Sequence, residues 1–269
     1  MSDLVHPAAP LRLPRPEIYP ERQVPRRSSL DRWAALHLAG LTAGMTGLRA
    51  RQLRGLVART AAAAPPRQLS DADLQARAAD LSLRLKAGPW PPAPALTAES
   101  FALIREASAR VMGLRHYDVQ VQGAAALVRG LVAEMQTGEG KTLTATLAAI
   151  TAGLAGVPVH LVTSNDYLAA RDGEEMGPLY RFFGLTVGTV VQGVEPDIRR
   201  AAYRCDITYC CNKEAAFDYL KDRIVLRERS ENLHLRLDGL VSSGSRRDSL
   251  LHRGLHFAIV DEADSVLID

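Results

Sequence analysis

Apolar positions in this chain follow two rhythms, and the switch between them divides it. Leu74, Ala78, Leu81 and Leu85 recur at helical spacing and predict a helix with one buried face. Ser70 stands where it can cap that helix, and Asp71 and Asp73 complement the positive end of its dipole. Gly88-Pro89-Trp90-Pro91-Pro92 stops it. A second helix is predicted over residues 97–113, with Phe101, Ile104 and Val111 on its buried side. Beyond it, short apolar runs at Gly130–Met135, Val157–Thr163, Leu185–Val191, Asp206–Cys210 and Phe257–Val260 read as strands. Helical stretches separate them, at Lys141–Gly153, Asp166–Phe183, Asp197–Tyr203 and Lys213–Arg223. Strands alternating with helices predict an α/β fold, a parallel sheet with helices on both faces. Residues 227–254 are polar and read as a surface insertion, and no internal repeat is visible.

The amino-terminal part follows neither rhythm. Residues 1–29 are rich in proline and arginine and read as an irregular arm. Residues 30–60 carry Leu36, Leu41, Leu48, Leu53 and Leu56 among arginines. That pattern suits an amphipathic helix, either lying on an anionic membrane surface or packed on the neighbouring domain. Gly40, Gly44 and Gly47 each weaken a free helix by about 1 kcal/mol. With Ala61–Pro66 as linker, residues 1–66 form a basic arm and 67–269 a domain. Residues 1–70 hold 11 arginines against four acids, so their net charge is +7 while the whole chain carries only +3. The overall balance therefore does not call for a nucleic-acid partner. No run of 18 apolar residues exists, so a membrane-spanning helix is not expected, nor is a secretory signal visible. Three cysteines (Cys205, Cys210, Cys211) make no disulfide framework and no zinc spacing, which fits a reducing cytosol.

Candidate chemistry enters where a strand-like run meets a glycine-rich turn. Leu131-Val132-Ala133-Glu134-Met135-Gln136-Thr137-Gly138-Glu139-Gly140-Lys141-Thr142 has the strand–loop–helix context of a P-loop. Gly138, Glu139 and Gly140 would turn backbone N–H groups around phosphate oxygens. Lys141 would reach the terminal phosphates, and Thr142 would ligate Mg²⁺ through its hydroxyl. Met135 stands where the usual pattern has its first glycine. A second signal lies 120 residues after Lys141, where Phe257-Ala258-Ile259-Val260 runs into Asp261-Glu262-Ala263-Asp264. Ligands of parallel sheets sit at such strand ends. Asp261 would hold Mg²⁺ and Glu262 would polarise the attacking water. Upstream, in His116-Tyr117-Asp118-Val119-Gln120, the Gln120 amide has the geometry to pair with the N6/N7 edge of adenine. Together these predict a P-loop NTPase with a RecA-like sheet, using ATP and Mg²⁺.

The series resembles the first nucleotide-binding domain of the SecA family, the ATPase motors of bacterial preprotein translocation. The resemblance is carried by Phe101–Ala107, His116–Gln120, Glu134–Thr142, Thr163–Asp172, Met176–Tyr180, Asp206–Tyr209, Phe217–Leu220 and Val260–Asp269, over residues 70–269. It implies ATP hydrolysis coupled to preprotein movement across the inner membrane, with Gln120 at adenine, Gly138–Thr142 at phosphate, Asp261 at Mg²⁺ and Glu262 as catalytic base. It also implies preproteins, a SecYEG-type translocon and anionic lipids as partners, and a cytoplasmic protein peripherally bound to the inner membrane. A homodimer is compatible with it, and no specific nucleic acid is expected. In the family a second RecA-like lobe completes the site with an arginine finger; none is seen within these 269 residues. Weak nucleotide binding with little turnover is therefore expected of the chain alone.

Departures accompany the match. Cys210-Cys211-Asn212-Lys213 stands where the family has Gly-Thr-Asn-Asn. Ala215 and Ala216 replace an aromatic residue and a glycine, and Ala263 replaces valine. The lost glycines are expected in a loop near the nucleotide. Two alternatives stay open: a DEAD-box-like RNA helicase lobe, whose signature Asp261–Asp264 spells, and a non-catalytic nucleotide-binding remnant. Against the helicase, Thr163-Ser164-Asn165-Asp166-Tyr167-Leu168 stands where those proteins carry Pro-Thr-Arg-Glu-Leu.

Overall fold

The computed structural model describes residues 46–66, 68–136, 138–226, 249–263 and 265. The predicted irregular arm, Thr137, Asp264 and most of the predicted insertion lie outside them. In chain order the elements are α1 (Thr46–Ala62), α2 (Asp71–Ala87), α3 (Pro94–Val111), α4 (Asp118–Val128) and α5 (Lys141–Leu154). β1 (Val159–Thr163), α6 (Asp166–Phe182), β2 (Val187–Val190), α7 (Pro196–Tyr203), β3 (Ile207–Cys211), α8 (Asn212–Leu226) and β4 (Phe257–Val260) follow.

Local chemistry explains several boundaries. Ser70 and Asp73 close a reciprocal capping box at the start of α2, and Leu74, Ala78, Leu81 and Leu85 are its buried residues. Asn165 caps α6 by accepting from the Leu168 N–H at 2.9 Å. In α3, Phe101 and Ile104 are fully buried, whereas Val111 is exposed. Val111 ends the helix beyond its packing partners, which periodicity alone does not reveal.

The four strands are all parallel, in the order β2-β3-β1-β4. Alternate side chains enter two cores. Val159, Leu161, Ile207, Tyr209 and Ile259 join the larger one with residues from α1 to α6. Val162 and Cys210 face the smaller one, with Val190, Tyr203 of α7, Ala215 of α8 and Leu251. Helices thus cover both faces of a RecA-like α/β sheet. Burial of each large side chain contributes about 1.5–3 kcal/mol. Tyr180 and Tyr209 join α6 to β3 through their hydroxyls at 2.8 Å.

Three expectations change. Gly130–Met135 is not a strand: the described residues 131–136 are in no sheet, and Val132 is 90% exposed. Among the described residues none of the four strands pairs with it. The end of the predicted surface insertion is buried, at Leu250, Leu251 and His252. Asp222 accepts from the Leu251 and His252 N–H groups at 2.7 and 2.8 Å and pins that return to α8. Finally, Cys210 and Cys211 end β3 and are buried, and Ala215 and Ala216 lie within α8, so the glycine departures are not in a loop.

Of residues 30–60, read as a membrane-surface or packed helix, 30–45 lie outside the described residues and 46–60 belong to α1. Leu56 and Thr60 of α1 are buried, and the helix packs on α3 and α4. Arg51, Arg54 and Arg59 point outward.

Candidate functional site

The phosphate-loop candidates sit at the start of α5, where the backbone is shaped for an anion. Gly138 and Gly140 have φ of +90° and +76°, the left-handed region that suits glycine. Gly140 is the N-cap of α5 and supplies no side-chain cap, unlike Ser70 and Asn165 on their helices. No acidic residue occupies the first turn. The first-turn N–H groups of α5 therefore retain the positive potential that draws phosphate. Lys141 opens the helix, Thr142 follows it, and Lys141 makes no ion pair among the described residues. Glu139 folds the loop on itself, its carboxylate accepting from the Gln136 N–H at 2.8 Å.

Gln120 is wired into this loop. Its Oε1 accepts from the Tyr117 N–H at 2.8 Å, and its Nε2 donates to the Glu139 carbonyl at 2.8 Å. A Cβ on Gly140 would collide with that Nε2. Gln120 is buried, and Tyr117 beside it is 72% exposed. Arg105 steadies the same turn, donating to the His116 carbonyl at 2.6 Å and pairing with Asp118 at 2.9 Å.

Met135 has a packing reason for its place in the loop. A Cβ on Gly123 of α4 would lie 3.3 Å from the Met135 Sδ and 3.3 Å from Thr144 Cγ2. The missing side chain at Gly123 makes the room that Met135 uses.

The acidic candidates follow β4. The Asp261 N–H donates to the Val162 carbonyl at 2.8 Å, and the Asp261 carboxylate accepts from the Glu262 N–H at 3.0 Å. Glu262 has φ +54° and is exposed. Burial holds the Asp261 carboxyl above the usual carboxylate range. The charges of Glu262 and Asp172 push the same way, while the Glu262 N–H and the Lys141 ammonium oppose them. The Lys141 ammonium is thus among the charges that act on Asp261. Among the described residues no three His, Cys, Asp or Glu side chains group as a metal site, and Asp172 is engaged by Arg171 at 2.6 Å, which leaves Asp261 and the Thr142 hydroxyl as the oxygens to offer a nucleotide-borne cation.

Sequence reasoning passed over two groups here. The Ser164 hydroxyl donates to Glu262 Oε2 at 3.1 Å. His116 is fully buried, with Nε2 at 3.0 Å from the Leu143 carbonyl and 3.2 Å from Thr146 Oγ1, tying the Gln120 turn to α5. Its place beside Gln120 was the available signal.

Burial is the main cause that pushes His116 down to about 4. The charges of Arg105 and Arg115 add to it, and the bond to Leu143 opposes it. A histidine depressed in the folded state stabilises it above the unfolded value near 6.5, and that contribution is lost as pH falls towards 4. At pH 5 the loss from His116 alone is about 2 kcal/mol. Buried His160 and His252 are also lowered and act in the same sense. Urea unfolding at pH 7 and pH 5 should show this drop, with a shallower one in His116→Gln.

A parallel α/β sheet, a glycine-shaped helix N-terminus and a carboxylate pair after a strand place the chain in the class of P-loop folds. The sequence model of the SecA DEAD-like domain matches residues 44–269. The chain belongs to the SecA DEAD-like domain family. Protein translocase subunit SecA 2 of Bordetella avium is 46% identical over 253 residues, covering 94% of this chain and 38% of the relative. Protein translocase subunit SecA 2 of Nitrosospira multiformis is 45% identical over 258 residues, covering 94% and 38%. Protein translocase subunit SecA of Chromohalobacter salexigens is 49% identical over 201 residues, covering 75% and 20%. The chain thus spans less than two fifths of the length of these relatives. Neither the helicase nor the remnant alternative draws support from them.

Proposed function

We propose that this chain is the ATP-binding part of a SecA-type motor that couples ATP hydrolysis to preprotein movement through a SecYEG-type translocon. The observation that carries the proposal is the start of α5, where left-handed Gly138 and Gly140 lead into Lys141 with no side-chain cap and no acid in the first turn. In this reading Gly138, Glu139 and Gly140 wrap the phosphates and the Lys141 ammonium neutralises their terminal oxygens. Thr142 and Asp261 would hold Mg²⁺, which supplies charge neutralisation on the phosphate oxygens. Glu262 orients a water and takes its proton. Gln120 keeps one Oε1 lone pair unused for adenine N6, and its longer Nε2 bond, to the Gly140 carbonyl at 3.5 Å, is the one that adenine N7 would replace. Base recognition would therefore bear directly on the phosphate loop.

Turnover by the 269 residues alone is expected to be low. An arginine supplied by a second lobe is worth about 10³–10⁵ in rate in comparable phosphoryl transfer. Lipid contact, if made by α1, falls to Arg51, Arg54 and Arg59, because the apolar side of the helix is buried. Among the described residues no helix is long and apolar enough to cross a membrane; the motor reading itself implies a cytoplasmic protein bound peripherally to the inner membrane. A homodimer is compatible with the same reading.

Titration of the chain with a fluorescent ATP analogue and Mg²⁺ tests the site. Saturable binding is expected, weakened about 10–100-fold by Lys141→Ala through loss of a charge-assisted contact. Binding that is absent, or indifferent to Lys141, overturns the proposal.

A further inference from the structure

We propose that Ser164 is the positioning residue for Glu262. This rests on the ATPase reading of the site and deepens it. The sheet itself brings the two together. β1 and β4 run parallel with Val162 opposite Val260, so two residues further on Ser164 stands opposite Glu262, just past the paired strands. There the Ser164 hydroxyl donates to Glu262 Oε2 at 3.1 Å.

Glu262 needs such a partner. It is exposed, and its backbone is left-handed at φ +54°, a conformation L-residues adopt at a cost of about 1–2 kcal/mol. Two bonds hold that backbone: the Glu262 N–H donates to the Asp261 carboxylate at 3.0 Å, and its carbonyl accepts from the Ser265 N–H at 2.9 Å. Neither fixes the carboxylate. A free glutamate side chain carries about 1.5–2 kcal/mol of rotamer entropy, which an unrestrained base surrenders on the way to the transition state. By engaging Oε2, Ser164 removes part of that freedom beforehand and leaves Oε1 open to a water. Ser164 touches neither phosphate nor water in this scheme; it acts only through Glu262.

The test is steady-state ATP hydrolysis by the full-length gene product, with nucleotide affinity measured alongside. Ser164→Ala is expected to lower kcat about tenfold, the effect of one hydrogen bond to a charged group, with KM and nucleotide affinity unchanged within about twofold. Ser164→Thr, which keeps the hydroxyl, is expected to restore most of kcat. Ser164→Cys, of similar size but a weak donor, replaces the alanine variant should that one lose its cooperative unfolding transition. Unchanged kcat in the variants lacking the hydroxyl, or a change in KM alone, overturns the role of Ser164. Failure of Ser164→Thr to recover kcat overturns it as well. Glu262→Gln separates the two levels. If that change abolishes hydrolysis while loss of the Ser164 hydroxyl leaves kcat alone, only the positioning role fails. If hydrolysis is absent from the parent or survives Glu262→Gln, the assignment of the base fails and the role of Ser164 with it.

Discussion

Glu262→Gln in the full-length gene product is expected to lower ATP turnover by about 10²–10⁴-fold, the usual contribution of a general base, while nucleotide affinity stays within about twofold. The substitution is nearly isosteric, and the amide oxygen still accepts from Ser164 at the position where Glu262 Oε2 stands. It leaves the Asp261–Glu262 backbone bond intact. What it removes is the ability to take a proton, together with one of the negative charges that hold Asp261 above its usual range. Chemistry should therefore fail while binding persists. Lys141→Ala should do the reverse, acting first on affinity. Steady-state hydrolysis and fluorescent-nucleotide titration of both variants measure the split. A Glu262→Gln protein that turns over normally would place the base elsewhere.

What was legible in the chain beforehand was mostly what is decided locally. The cap at Ser70 and the apolar face at Leu74, Ala78, Leu81 and Leu85 depend on residues three and four apart, and the structure has both. The glycines of the phosphate loop were readable because φ of +90° and +76° excludes most other residues. Pairing is another matter. Residues 131–136 carry a strand-like composition, but a strand exists only where it pairs in register with another, and these residues pair with none of the four described strands. The burial of Leu251 and His252 depends on Asp222, about thirty residues earlier. The bond between Ser164 and Glu262 spans 98 residues and follows from strand register, which the sequence pattern does not state. The burial of His116, His160 and His252, far apart along the chain, likewise follows from tertiary packing.

Gly140→Ala is expected to weaken nucleotide binding about 10²-fold, and Gly138→Ala only about five- to tenfold, although both glycines have positive φ. The difference lies in what a Cβ would meet. At Gly138 nothing lies within 4 Å, so alanine costs only the left-handed backbone, about 1–2 kcal/mol. At Gly140 the same strain is joined by a collision with Gln120 Nε2. That amide is not free to swing away, because it is buried and holds bonds to the Tyr117 N–H and the Glu139 carbonyl. Either the α5 N-terminus shifts, moving Lys141 and Thr142 from the phosphates, or Gln120 leaves the loop and its adenine-facing groups with it. Both outcomes reduce affinity. The collision predicts a further result: in a Gln120→Ala background, Gly140→Ala should cost less than it does alone, because the obstructing atom is gone. Nucleotide titration of the two single variants and the double variant measures this coupling. Additive losses would mean that backbone strain alone explains Gly140, and that Gln120 and the phosphate loop respond to nucleotide independently.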